Sequence, residues 1–204
     1  MDRGPSPHGR NMTNGDVKFV GTELPYRQIT DAGDYRFDDI RREDRVIDIG
    51  ANVGAFCIRA AWLADRVLAV EPVAWERLEE NIRLNGVTAR VVRGALGDGN
   101  PAEITWDGCG GPVPTYTLRQ IVSMAGGCDF LKCDCEGAEW LIRPGDLAGI
   151  RRIEMELHLP PIGGPPAPAL LDYIGREYQF EIERKPCYDV MGVMGILHAR
   201  LDRG

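Results

Sequence analysis

The chain has 204 residues, with 24 Lys and Arg against 31 Asp and Glu, for a formal net charge of −7. That balance argues against a nucleic-acid binder held by phosphate neutralisation, because such domains carry a basic excess. Apolar residues at 44% and charged residues at 27% lie near globular averages, which excludes wholesale disorder, and there is no apolar run of the roughly 18 residues a membrane helix needs.

Residues 1 to about 16 are polar and Gly/Pro-rich, without the apolar stretch of a signal peptide, and read as a flexible tail. Residues 17–204 read as a single domain. From Arg45 the pattern becomes regular. Arg45-Val-Ile-Asp-Ile49 is a short β-branched run that reads as a buried strand. Val53, Phe56, Cys57, Ala60 and Ala64 recur at helical spacing, so a helix follows. Arg66 to Val70 is a second strand, closed by Glu71-Pro72. Ala74 to Asn85 is a second helix, stopped by Asn85-Gly86, and Ala89 to Arg93 a third strand. Glu103 to Trp106 reads as an extra strand and Gly108 to Pro114 as a loop. Thr117 to Met124 is a helix with a Thr cap, and Cys128 to Cys133 a further parallel-type strand. Ala138 to Arg143 reads as a short helix ended by Pro144-Gly145, and Arg151 to Leu157 as the next strand. A proline-rich connection leads to a helix over Ala169 to Tyr178. Phe180 to Arg184 and Gly192 to Arg200 close the chain as an antiparallel pair. Strands alternating with helices predict an α/β, doubly wound, mostly parallel sheet.

Six cysteines, Cys57, Cys109, Cys128, Cys133, Cys135 and Cys187, form no C-x-x-C pair, and several sit in apolar runs. They read as reduced, packed thiols of a cytoplasmic protein.

Asp48-Ile-Gly50-Ala-Asn52-Val-Gly54 joins the first strand to the first helix. Glycines there let the backbone approach a ligand beside a helix N-terminus. The dinucleotide fingerprint asks for Gly at positions 50, 52 and 55, where this chain has Gly50, Asn52 and Ala55. An acid, Asp48, sits at the end of the strand instead, which suits a cationic or amine-bearing ligand better than a pyrophosphate. Glu71, at the tip of the second strand, is placed to accept hydrogen bonds from a ribose diol.

The segments Val46-Ile-Asp-Ile-Gly-Ala-Asn-Val-Gly54, Val70-Glu-Pro72 and Phe130-Leu-Lys-Cys-Asp-Cys-Glu-Gly-Ala-Glu139 resemble the FkbM family of S-adenosylmethionine (SAM)-dependent methyltransferases over about residues 40 to 160. The resemblance implies a seven-stranded class I, Rossmann-like fold with sheet order 3-2-1-4-5-7-6 and the last strand antiparallel. It implies SAM as cofactor, which carries both a sulfonium and an amine, and mostly oxygen methylation of small-molecule or glycosidic acceptors. Carried over by position, Asp48, Gly50, Asn52 and Gly54 would surround the methionine part of SAM. Glu71 would hold the ribose, and the segment containing Ala95 and Leu96 would lie along the adenine. Where the family often has Thr-Leu-Asp, this chain has Thr117-Leu118-Arg119.

In the fifth strand Arg152, Glu154, Glu156 and His158 alternate with Ile153, Met155 and Leu157, so a charged row faces one side. A central strand demands partners for such a row. Lys132 is expected to pair with Glu154. Asp134, Glu136, Glu156 and His158 are expected to collect at the carboxyl ends as the catalytic group, with Asp134 also beside the cofactor and His158, near its ordinary pKa of about 6.5, as general base. Their donors would suit a divalent ion, although nothing in the spacing requires a metal and none is assigned. Glu139 reads as a first-turn acid at a helix N-terminus. Tyr26, Tyr35, Phe37, Trp106, Tyr116 and Trp140 are candidates for an aromatic wall or for core.

The expected partner is a small-molecule or saccharide acceptor, with no nucleic acid and no membrane; self-association stays open. Two other readings compete: an RNA or protein N-methyltransferase on the same fold, and a non-catalytic SAM-binding module. An Asn/Asp-Pro-Pro-aromatic segment would mark the first, and Asp134-Cys-Glu-Gly stands in its place.

Overall fold

The computed structural model describes residues 17–20, 34–106, 108–184 and 192–201. The expected tail, Tyr26 and Cys187 lie outside them. Eleven strands run in chain order: β1 Arg45–Ile49, β2 Arg66–Glu71, β3 Arg90–Arg93, β4 Ala95–Leu96, β5 Ala102–Trp106, β6 Cys109–Val113, β7 Thr115–Tyr116, β8 Phe130–Cys133, β9 Arg152–His158, β10 Tyr178–Glu183 and β11 Val193–Leu201. The helices are α1 Ala55–Leu63, α2 Trp75–Leu84, α3 Leu118–Ala125 and α4 Pro168–Glu177, with 3-10 turns over Ala138–Leu141 and Pro144–Leu147.

Seven strands form one sheet in the order β10-β11-β9-β8-β1-β2-β3. All are parallel except β11, which runs antiparallel to both β9 and β10. This is the order the family resemblance implies. Each predicted element is present with ends shifted by a residue or two, and one loop is corrected. The glycine-rich stretch Gly108–Pro114 contains β6, which pairs antiparallel with β5 as a separate hairpin. Gly110 (φ 138°) makes this pairing feasible, because a Cβ there would lie 2.1 Å from the Ile104 carbonyl oxygen.

The two faces of the sheet differ in chemistry. On one, Ile47, Ile49, Leu131, Ile153, Met155, Leu157 and Leu197 pack on Leu118 and Ile121 of α3 and Leu170 and Ile174 of α4. Each such side chain contributes about 1.5–3 kcal/mol by leaving water. On the other, Val46, Phe130 and Ile196 join Phe56, Cys57 and Ile58 of α1, Leu78 and Ile82 of α2, and Tyr35. Strand register cuts a polar row through this second face: Asp48 lies beside Lys132, Lys132 beside Glu154, and Glu154 beside His198.

The expected Lys132–Glu154 pair does not form. Lys132 turns the other way, to Asp48 at 3.1 Å, while Glu154 takes Arg152 and His198, each at 2.6 Å. The physical reason is supply. Glu154 has Arg152 and the His198 imidazole as partners of its own, and Asp48 has Lys132 as its ion-pair partner. The 34–44 segment covers the row: Arg36 N–H donates to Glu154, and Arg151 reaches Asp39 and Asp44.

Capping explains the helix boundaries near the site. Thr117 and Gln120 form a reciprocal capping box at the start of α3, and Gly126 (φ 72°) ends it. Arg119, which replaces the acid common at this position in the resembling family, pairs with Asp146 at 3.0 Å.

Candidate active site

A cavity of about 180 Å³ opens at the carboxyl ends of β1, β2 and β8. Strand order reverses between β1 and β8, the place where open α/β sheets bind ligands. The wall on one side is the β1–α1 turn, which requires left-handed backbone at Gly50 (φ 72°), Asn52 (φ 49°) and Gly54 (φ 99°). Gly50 allows no substitute, because an added Cβ would lie 1.6 Å from the Asp134 carbonyl oxygen. The turn is thereby laid directly on the segment that leaves β8.

Glu71 is fixed at the tip of β2 by three backbone amides. One oxygen accepts from Val73 and Ala74 (2.8 and 2.9 Å), in the turn that leads into α2, and the other accepts from Asn52 (2.8 Å). Its carboxylate is nevertheless part of the cavity wall, as are Ala95 and Leu96 after β3 and Ile104 and Thr105 of the β5–β6 hairpin.

The floor is ionic. Lys132 donates to the Gly50 carbonyl at 2.8 Å and lies 3.1 Å from Asp48 and 3.7 Å from Asp134. Burial opposes its charge, but the two carboxylates outweigh it and raise the pKa of the ammonium. Burial likewise raises the Asp48 carboxyl, against the pull of Lys132. Tyr35 donates its hydroxyl to Asp134 at 2.9 Å, and burial with the Asp134 charge raises the phenol well above its ordinary value.

Next to Asp134 stands His158, which is 2% exposed. Its Nδ1 lies 3.2 Å from Glu139, and its Nε2 faces Glu136 at 3.3 Å and Asp134 at 3.9 Å. Burial works to lower the imidazole pKa. The hydrogen bond and charge of Glu139, with Asp134 and Glu136, outweigh it and raise it to about 9. The ring thus holds its proton more tightly than at the ordinary value of about 6.5 for which a general-base role was expected. Glu156 is raised to about 8, first by burial and then by the adjacent Asp134. Glu136 is also raised by burial, and its backbone is left-handed (φ 54°). Acids outnumber cations here: Asp48, Asp134, Glu136, Glu139 and Glu156 surround Lys132 and His158.

Of the residues singled out in the sequence, Gly50, Asn52, Glu71, Ala95, Leu96, Asp134 and Glu136 line the cavity. Asp48 and Gly54 do not. Asp48 lies beneath the floor on Lys132, and Gly54 starts α1 with room for a side chain denied by Leu78 and Ile58. Glu156 and His158 meet Asp134 and Glu136 from behind the lining. Glu139 departs most from its sequence reading. It is fully buried, and accepts from the His158 and Gly137 amides at 2.6 and 2.8 Å, so it orients the histidine instead of merely starting a helix. The D-x-E-G-A-E run was the available signal, since it places three acids within six residues. Of the candidate aromatics, Phe37 stacks on Phe56 at 4.8 Å and Tyr35 meets it edge-on at 5.9 Å. Trp140 donates to the His158 carbonyl at 2.7 Å. These are core contacts, and among the described lining residues Phe56 is the aromatic one.

No protein-family model and no curated protein matches the sequence. Solved structures do. An rRNA methylase from Streptococcus thermophilus superposes with a TM-score of 0.53 at 10% identity, covering 80% of this chain and 90% of that one. A ribosomal protein L11 methylase from Lactobacillus delbrueckii subsp. bulgaricus gives 0.52 at 14% identity, covering 87% and 80%. An uncharacterized protein from Listeria monocytogenes serotype 4b gives 0.49 at 16% identity; 81% of this chain matches, spanning 65% of that protein's length. Sheet order, the antiparallel β11 and the superpositions on the two methylases together give the chain the Rossmann-like fold of the class I SAM-dependent methyltransferases.

Proposed function

We propose that this chain is a SAM-dependent methyltransferase of FkbM type that methylates a hydroxyl oxygen of a small-molecule or glycosidic acceptor. The observation that carries this reading is an acidic cavity at the reversal of strand order, with the Glu71 carboxylate held rigid in its wall. The residues present fit the cofactor. Glu71 retains acceptor capacity toward a ribose hydroxyl beyond its three amides, since a carboxylate offers about four lone-pair sites. Ala95 and Leu96 supply an apolar strip for a flat base. The excess of carboxylates around Asp134 favours a ligand bearing positive charge.

When bound, SAM supplies an electrophilic methyl group on a sulfonium. The chain's own task is to align the acceptor oxygen with that methyl, because positioning provides much of the rate in a direct displacement. Phe56, Ile104 and Thr105 form the apolar and hydroxylic sides against which an acceptor would rest. The acceptor's proton leaves toward the carboxylates at the cavity floor. His158, held between Glu139 and Glu136, keeps those carboxylates in place as a cation.

Calorimetry with SAM and with its demethylated product tests the cofactor, and a screen of hydroxylated acceptors tests the reaction. Binding of both with turnover on a hydroxyl supports the reading. Absence of heat with either refutes it, and methyl transfer confined to RNA or protein replaces the acceptor class. Asp134→Asn is expected to retain the heat of binding and lose turnover.

A further inference from the structure

We propose that Asp134, Glu136 and His158 form a divalent-cation site on the rim of the cavity. Three donors converge there. His158 Nε2 lies 3.3 Å from a Glu136 oxygen and 3.9 Å from an Asp134 oxygen, and one ligand atom from each residue falls within 4.8 Å of the others. Ligands bonded at about 2.1 Å around one ion sit about 3 to 4 Å apart, so only small closing movements are needed.

The geometry of the histidine points the same way. Its ring is nearly fully buried with Nε2 aimed at the two carboxylates, and its other nitrogen is anchored 3.2 Å from Glu139. Glu139 is itself immobilised by the His158 and Gly137 amides. A carboxylate that fixes one imidazole nitrogen while the other faces outward is how metal-binding histidines are oriented. The opening is also in place, since Asp134 and Glu136 line the cavity and an ion can enter from it.

One imidazole, which gives up its Nε2 proton when the ion binds, and two carboxylates suit a first-row divalent ion such as Mn2+, with remaining positions for water or acceptor oxygens. This deepens the methyltransferase reading and rests on it for its role: an ion here would lower the pKa of a coordinated acceptor hydroxyl.

The test is titration of chelator-treated full-length protein with Mn2+, read by loss of the free-ion electron paramagnetic resonance signal and by the thermal midpoint. The wild type is expected to take up a single equivalent and to melt higher with it. E136Q is expected to bind at least about tenfold more weakly, and Glu139→Gln about 10- to 100-fold more weakly through misorientation of the ring. An undiminished free-ion signal up to millimolar Mn2+ overturns the proposal, and so does equal binding by wild type and E136Q. The wild-type titration needs no variant to fold. SAM calorimetry on the same chelated sample separates the two claims: heat with SAM but no Mn2+ uptake sinks the ion site alone, and no heat with SAM sinks the methyltransferase reading.

Discussion

Lys132→Met is the sharpest test of how the cavity floor is built. The ammonium and the Asp48 carboxylate are 4% and 0% exposed and 3.1 Å apart. At an effective dielectric constant of about 20, that pair is worth about 5 kcal/mol of attraction. Removing the lysine strands Asp48 in a site where burial already disfavours its charge, and it frees the Gly50 carbonyl of its 2.8 Å donor. Breaking a buried pair from one side costs about 3–5 kcal/mol, a large fraction of the roughly 5–15 kcal/mol that holds a typical domain together. In urea, with a slope of up to about 3 kcal/mol per M for a chain of this size, the midpoint should fall by about 1–2 M. The partner variant Asp48→Asn/Lys132→Met removes both charges and should recover about 2 kcal/mol or more over the single variant. A single variant that loses less than about 1 kcal/mol, or a double variant no more stable than the single, would show that the pair is not what supports the floor.

Three further outcomes are expected. Gly50→Ala should cost several kcal/mol in thermal or urea melts and abolish SAM heat, because its Cβ meets the Asp134 carbonyl at 1.6 Å. Gly86→Ala, at φ 63° with open space around it, should cost only about 1–2 kcal/mol; equal losses at the two sites would contradict the crossing of the two loops. In chelated protein, stability should decline as pH rises from about 6.5 to 9, because His158 (raised to about 9) and Glu156 (raised to about 8) bind protons more tightly folded than unfolded. Each contribution is complete below the group's unfolded pKa and gone above its folded one, so urea midpoints at pH 6, 7.5 and 9 that stay level or climb would refute it. Glu71→Gln should weaken SAM binding about 10- to 100-fold by calorimetry, since one oxygen that accepts from Asn52 becomes a donor facing a donor; unchanged affinity would remove Glu71 from the binding wall.

Local chemistry made most of the frame readable. Val46-Ile47-Asp48-Ile49 and Arg66-Val-Leu-Ala-Val70 announce buried strands by composition, and a threonine at 115 or 117 announces a helix start, which the structure places at Thr117. β6 was hidden because Cys109-Gly-Gly-Pro-Val113 has almost no strand propensity; its pairing depends on a backbone approach that only the partner strand reveals. The period-two rule placed Lys132, Glu154 and His158 on one face correctly, but a face is not a partner. Which partner meets which acid depended on His198, a residue of β11 that the sheet inserts beside Glu154. The same limit concealed Glu139, whose bond to His158 crosses from a 3-10 turn to the end of β9.

The contact between Gly50 and the Asp134 carbonyl has an engineering corollary. Two loops that cross without clearance leave the Gly50 wall of the cavity no room for a side chain, so that this edge of the pocket is locked. Freedom to change what is accepted lies instead with the β5–β6 hairpin, which is hydrogen-bonded to itself outside the main sheet and reaches the pocket through Ile104 and Thr105. On the proposed function, libraries aimed at new acceptors belong on that hairpin, outside the seven-stranded sheet.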